Sequence, residues 1–244
     1  MTRTPDSAAE PRIHREVVSY VRRSARMTSH QRQAWDAHHE RWVLDVPRQD
    51  TETSIDPTFA VDLVAAFGRT APLIVEVGPG MGDSLVAMAQ QRPDANILAF
   101  EVYRPAVAKI LSRLAAEHVD NVRLVQANAV EGLTTLVPAG AIDGLWTFFP
   151  DPWHKVRHHK RRLLSTEFAD LAASRMRSAG IWRLATDWED YAAQMRHVLD
   201  DHPTFVNDHA GGWAPRWEQR PITRFEQRGI DAGRPIFDLG YRRR

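Results

Sequence analysis

The sequence contains no cysteine, which excludes disulfides, iron–sulfur clusters and thiolate zinc sites. It also lacks any apolar run approaching the ~20 residues of a membrane span. The first fifteen residues are polar and broken by Pro5 and Pro11, without the apolar stretch of a secretion signal, so a cytoplasmic protein is expected. No His-Glu-x-x-His spacing occurs among eleven histidines, and no metal site is expected. No repeat or internal linker is visible. Charge of one sign is also missing in total: the net value is +1 over 244 residues. The cations are clustered, however. Lys155, Arg157, Lys160, Arg161 and Arg162 stand within eight positions, with His158 and His159 between them. A polyanion feels such local density, because screening hides charges beyond about 8–10 Å.

What is present reads as one α/β domain. The hydrophobic fraction of 43% is that of an ordinary globular chain. Residues 1–50 are Arg-rich and short of apolar periodicity, and read as a basic arm, partly disordered over 1–11. Residues 51–244 read as the domain. Asp56-Pro57 resembles an N-cap followed by proline at the first helical position, with Gly68 at the C-cap. Strands are expected at 73–77, 96–102, 122–126, 142–149 and 181–186, with helices at 84–91, 105–118, 165–177 and 191–199 between or after them. That alternation predicts right-handed βαβ units and a doubly wound, mostly parallel sheet. The chain after Pro203 is expected to add antiparallel strands at one edge.

The sharpest local pattern is Val75-Glu-Val-Gly-Pro-Gly-Met-Gly-Asp83, a strand running into Gly78, Gly80 and Gly82. Glycines at a strand-to-helix turn permit a tight bend and close approach of a ligand. The spacing is not the G-x-G-x-x-G of dinucleotide sites; it suits a cofactor without phosphate whose amino-acid and ribose parts lie along the loop. Glu101 follows Gly82 by 19 residues and could accept from both ribose hydroxyls. Glu76 could hold an ammonium. A plain turn and an NAD site are the competing readings. At the third-strand end, Asn128-Ala129 would lie near an adenine, although Asn128 could equally be a turn residue.

The fourth strand leads into Phe148-Phe-Pro-Asp-Pro-Trp-His-Lys155. Pro150 and Pro152 stiffen the backbone around Asp151, Trp153 offers a stacking face, and the cationic run offers phosphate contacts. Such a set suits base recognition with a backbone grip; the bland alternative is a solvated basic loop and a core tryptophan. Asp187 follows the fifth strand and could face the cleft, cap the next helix, or both. In Pro221-Ile-Thr-Arg-Phe-Glu226, Arg224 and Glu226 could be no more than a surface ion pair.

Taken together, Val75–Asp83, Phe149-Pro-Asp-Pro-Trp-His-Lys155, His158-His-Lys-Arg-Arg162, Ala185-Thr-Asp-Trp-Glu189 and Thr223-Arg-Phe-Glu226 resemble the bacterial tRNA (guanine-N7)-methyltransferases, in the family's order and spacing from about Arg22 to the C-terminus. The resemblance implies a seven-stranded Rossmann-like methyltransferase sheet with helices on both faces. It also implies S-adenosylmethionine as donor, S-adenosylhomocysteine as product, and the variable-loop guanine of tRNA, position 46, as acceptor. By it, Glu76, Glu101, Asn128 and Asp151 fall on cofactor positions, beside Gly78, Gly80, Gly82 and Ala129. Asp151 is also the catalytic position. Lys155, Asp187 and Thr223, Arg224, Phe225 and Glu226 fall on substrate positions, and Arg157 to Arg162 on an RNA-contacting run. The element Arg22-Arg-Ser-Ala-Arg-Met-Thr28 is similar to an RNA-touching arm. Asn128 stands where the family usually has Asp, and Ala25 where it has Gly. No obligatory protein partner is expected; a monomer or homodimer would serve. Two rival functions are methylation of an exocyclic amino group and RNA binding without catalysis.

Overall fold

The computed structural model describes Ser19 and residues 26–244. The expected disorder over 1–11 and the Arg22–Ala25 part of the arm motif lie outside these residues.

The elements run α1 (Ser29–Trp42), α2 (Leu63–Phe67), β1 (Leu73–Val77), α3 (Asp83–Gln91), β2 (Asn96–Phe100), α4 (Arg104–Ala116), β3 (Val122–Val125), α5 (Ala129–Leu136), β4 (Ile142–Phe148), a 3-10 turn (Val156–Arg161), α6 (Thr166–Arg175), β5 (Met176–Thr186), α7 (Glu189–Asp200), β6 (Phe205–Asn207), α8 (Arg224–Asp231) and β7 (Phe237–Arg243). One seven-stranded sheet has the order β3-β2-β1-β4-β5-β7-β6. All neighbouring pairs from β3 to β5 are parallel, and β7 alone runs antiparallel to both its neighbours.

Successive residues of a strand face opposite sides, and here both sides are apolar. Ile74, Ile97, Ala99, Leu124 and Trp146 pack with Leu85, Val86, Val107, Ile110 and Trp42 from α3, α4 and α1. Val75, Leu98, Phe100, Leu145 and Leu184 pack with Leu133, Phe168, Tyr191 and Met195 from α5, α6 and α7. Double burial explains why β1 and β2 read as continuous apolar runs.

Several local expectations change: β5 begins at Met176, inside the stretch 165–177 expected as helix, and α5 lies where no helix is expected. Helix α2 starts at Leu63 with Asp62 as its N-cap, its Oδ1 accepting from Val64 N (2.9 Å) and Ala65 N (3.1 Å). Asp56 instead closes a turn on Thr58, taking its N–H (2.9 Å) and hydroxyl (2.7 Å). Gly68 does end the helix in the left-handed region, φ 71°. Within residues 1–50, α1 is a capped helix packed on α4. Thr28 and Gln31 form a reciprocal capping box. Trp42 is buried and donates its indole N–H to Val119 O at 2.9 Å, and Val43 bridges to Leu124. Only Ala34 and Trp42 of α1 are buried, too sparse a stripe to register as periodicity. Among the described residues, no helix is long and apolar enough to cross a membrane.

The position of a site follows from the topology. After β3 the chain crosses back over β1 to lay down β4 on its other side. The carboxyl ends of β1 and β4 therefore diverge into a crevice, the place where open α/β sheets bind ligands.

Candidate active site

The crevice begins at Val77. Gly78, Gly80 and Gly82 all have left-handed backbones, φ 69°, 56° and 77°. Their surroundings differ. A Cβ on Gly78 or Gly80 would meet nothing within 4 Å, whereas one on Gly82 would lie 2.6 Å from Ile110 Cγ1 of α4. The first two keep the crevice side of the turn open, and the third lets the turn close onto α4. Glu101, just past β2, is buried and reaches back to this turn. Its Oε2 accepts from Gly80 N at 3.0 Å and its Oε1 from Tyr103 N at 2.9 Å.

Glu76 sits on β1, 2% exposed, and its Oε2 has no hydrogen-bond partner among the described residues. Burial first, and the neighbouring Glu101 second, push its carboxyl up to about 8. An orphaned buried oxygen next to a second acid is a cation-seeking arrangement. It fits the α-ammonium of an amino-acid cofactor, and the open faces of Gly78 and Gly80 fit its backbone-hugging portion.

Asn128 is the N-cap of α5: its Oδ1 accepts from Val130 N at 3.1 Å, and its own N–H donates to Thr53 O at 2.8 Å. The capping bond occupies the oxygen expected to face an adenine, so the second lone pair or the amide nitrogen is what remains. Ala129, the first residue of α5, is buried.

On the other side of the crevice, Phe149 follows β4 with a left-handed backbone, φ 51°, and donates its N–H to Ala185 O of β5 at 2.7 Å. Asp151 is half-buried between its prolines. Trp153 has φ 47°; its indole N–H donates to Ser19 O at 3.2 Å, and Arg161 lies over its ring at 4.7 Å. In the cationic run, Lys155, Arg157 and Lys160 are exposed, and His158, His159 and Arg161 are partly exposed. Partial desolvation, followed by Arg157, Arg161, Lys155 and Lys160, pushes the His158 imidazolium below the usual histidine range. Arg162 breaks the pattern: it is buried and turned inward.

Asp187, just past β5, is 8% exposed and takes Arg234 Nε on Oδ2 at 2.7 Å. It does not cap α7; Trp188 holds the N-cap position without a side-chain bond. Helix α8 lies against Asp187, since a Cβ on Gly229 would come within 3.0 Å of its Oδ2. Thr223 caps α8 by accepting from Glu226 N at 3.1 Å. Glu226 is fully buried, and Arg216 (3.0 Å to Oε1) and Arg220 (2.8 Å to Oε2) hold it. The alternative reading of Arg224 and Glu226 as a surface ion pair does not hold, since Glu226 is buried on other arginines and Arg224 is exposed. Arg220, itself fully buried, also grips both oxygens of Asp238 (3.0 and 2.9 Å) and lies over the rings of Phe148 and Phe149. Phe225 is half exposed, its ring centroid 5.4 Å from that of Phe149.

Glu76, Glu101 and the glycine turn thus come together at the β1/β2 end, and the Asp151 loop, Asp187 and the start of α8 at the β4/β5 end. Sequence reasoning missed Arg216, Arg220 and Arg234, which orient these acids. They are isolated arginines in an irregular stretch, and no periodicity or motif marks them.

A family model described as "Putative methyltransferase" matches residues 70–239. A curated relative from Nocardioides sp., named tRNA (guanine-N(7)-)-methyltransferase, is 50% identical over 236 residues, 97% of this chain and 91% of its own length. One of the same name from Cutibacterium acnes is 48% identical over 234 residues, 95% of this chain and 85% of its own. Among solved structures, the 16S rRNA methyltransferase KamB aligns with a TM-score of 0.50 over 82% of this chain and 98% of its own, at 18% identity, a likeness of fold alone. With most of its length shared at such identity, the chain belongs to the tRNA (guanine-N7-)-methyltransferase family.

Proposed function

We propose that this protein transfers a methyl group from S-adenosylmethionine to N7 of guanine in tRNA, at position 46 of the variable loop, and releases S-adenosylhomocysteine. It acts in the cytoplasm, with tRNA as its partner and no obligatory protein partner. The observation that carries the donor half is the unpartnered Oε2 of buried Glu76 beside the glycine turn. Glu76 takes the α-ammonium, and Glu101, drawn against the glycine turn by its bond from Gly80 N, takes the ribose hydroxyls. Gly78, Gly80 and Gly82 leave the backbone approachable, and Asn128 and Ala129 flank the adenine. When bound, S-adenosylmethionine supplies a methyl group made electrophilic by its sulfonium.

Guanine N7 presents an in-plane lone pair, so no side chain has to remove a proton first. The chain's task is alignment, which can lower a barrier by about 7–11 kcal/mol at best, and stabilisation of charge as the purine turns cationic. Asp151 supplies a fixed negative potential there. Asp187, with Oδ2 engaged by Arg234, keeps Oδ1 to accept from the base's N1–H and amino edge. Phe225, beside Phe149, offers a stacking face for a splayed base, with Thr223 and Arg224 at the same helix start and Glu226 bracing it from beneath. Lys155, Arg157 and Lys160, with His158, His159 and Arg161, grip phosphates.

The test is methyl transfer to unmodified tRNA, with the variable-loop guanine replaced by adenine as control. Borohydride and aniline should cut the product at that one position. Methyl incorporation without scission would move the reaction to an exocyclic amine. Neither incorporation nor binding of S-adenosylmethionine would leave an RNA-binding protein without catalysis.

A further inference from the structure

Arg162 closes the cationic run in sequence, yet its side chain is only 2% exposed. Its guanidinium is engaged along its whole edge. Nε donates to Pro152 O at 2.8 Å, Nη1 to Gln194 Oε1 at 2.8 Å and Nη2 to Asp190 Oδ2 at 2.7 Å; Nη2 also lies 3.0 Å from His159 Nε2. The plane rests on the ring of Tyr191 at 4.8 Å. The Tyr191 hydroxyl in turn accepts from Leu164 N at 3.1 Å.

Apart from His159 in the cationic turn itself, these partners belong to two places. Pro152 O is the carbonyl between Asp151 and the left-handed Trp153. Asp190, Tyr191 and Gln194 lie in the first turns of α7, immediately after Asp187. With φ of Pro152 fixed by its ring, the orientation of its carbonyl decides how the Asp151 loop enters the crevice. A planar fork of donors in fixed geometry suits such a clamp, and an ammonium does not.

We propose that Arg162 is a positioning residue that locks the Asp151 loop to the helix behind Asp187, holding the two acids at a constant separation across the base, and that it does not contact tRNA. The inference rests on the methyl-transfer reading above. It assigns to one member of the cationic run a task opposite to that of its neighbours.

The test compares Arg162→Ala, Arg162→Lys and Asp190→Asn with Arg157→Ala in the full chain. Each is assayed for kcat, for KM of S-adenosylmethionine, and for tRNA affinity at several salt concentrations. Loss of the clamp should lower kcat by about 10²-fold, the scale of a misplacement near 1 Å. The KM for S-adenosylmethionine and tRNA affinity, including its salt slope, should stay as in the wild type. Lysine should restore little. Low-millimolar guanidinium should restore part of the Arg162→Ala activity, which a merely destabilised fold would not show. Asp190→Asn, half-exposed and gentler, should lose about tenfold in kcat and decides the matter if Arg162→Ala does not fold. Arg157→Ala should do the reverse, weakening tRNA and flattening the salt slope by about 0.7–0.9. The assignment is overturned if the Arg162 or Asp190 variants flatten the salt slope at unchanged kcat, or leave every parameter at the wild-type value. A wild-type protein that forms no N7-methylguanosine would overturn the functional reading itself, and this assignment with it.

Discussion

Replacing Glu76 with Gln should make the ligand-free protein more stable and a poorer binder of its donor. In the unfolded chain Glu76 ionises near the ordinary 4.5, whereas in the fold burial and Glu101 push it up to about 8. Between those values the unfolded state releases a proton that the folded state keeps, so stability falls as pH rises. Each pH unit in that window is worth about 1.4 kcal/mol. The deficit is absent below about pH 4, amounts to about 3 kcal/mol at pH 7, and levels off near 5 kcal/mol above pH 8. Glutamine carries no such deficit. Its melting temperature at pH 7 should exceed that of the wild type by about 6–12 °C, with the gap closing as the pH is lowered to 4. Donor binding should run the other way. Because Glu76 holds a proton at pH 7 and must lose it to receive an ammonium, calorimetry in buffers of different ionisation enthalpy should register nearly one proton released per S-adenosylmethionine at pH 7 and almost none at pH 9. The Gln variant should bind weakly and release none. Equal melting curves for the two proteins across pH 4–9, or donor binding without proton release at pH 7, would refute the argument.

Other perturbations follow from the same geometry. Asp151→Asn should cut turnover far more than tRNA affinity, read from kcat against an equilibrium binding curve, because the charge matters most once the purine is cationic. Gly82→Ala combines a left-handed φ of 77° with a Cβ 2.6 Å from Ile110 Cγ1. A loss of about 2–4 kcal/mol in urea unfolding is expected, and a double-mutant cycle with Ile110→Ala, which removes Cγ1, should show the steric part of it relieved. Arg220→Met strands the buried carboxylate of Asp238 and leaves Glu226 to Arg216 alone, which should cost about 3–5 kcal/mol and loosen α8, raising KM for tRNA.

The parallel sheet was legible because its strands are buried on both faces and separated by helices with ordinary stop signals such as Gly68 and Pro93. The glycine turn and the Pro-Asp-Pro loop were legible because few other roles require those residues at those spacings. Helix α1 was not, since a helix that buries only Ala34 and Trp42 leaves almost no period to detect. Helix α2 is capped by Asp62 and not by Asp56 because the two are equally good caps on paper and Thr58 captures the first. Glu226 and Arg162 show a deeper limit. Both carry charge in polar segments and look solvated, yet each is buried: Glu226 by Arg216 and Arg220 of the irregular stretch before it, and Arg162 by α7, 28 residues on at Asp190. No local pattern encodes a charge neutralised at a distance.

The reversal of winding between β1 and β4 has an evolutionary corollary. Asp151 aside, the positions that would greet the methyl donor are built before residue 137, and, the N-terminal arm aside, those that would greet the acceptor come after residue 148. The two halves meet along a single seam between adjacent strands. A descendant could therefore inherit the donor pocket whole while exchanging its loops after β4 and β5, and with them the nucleic acid it modifies.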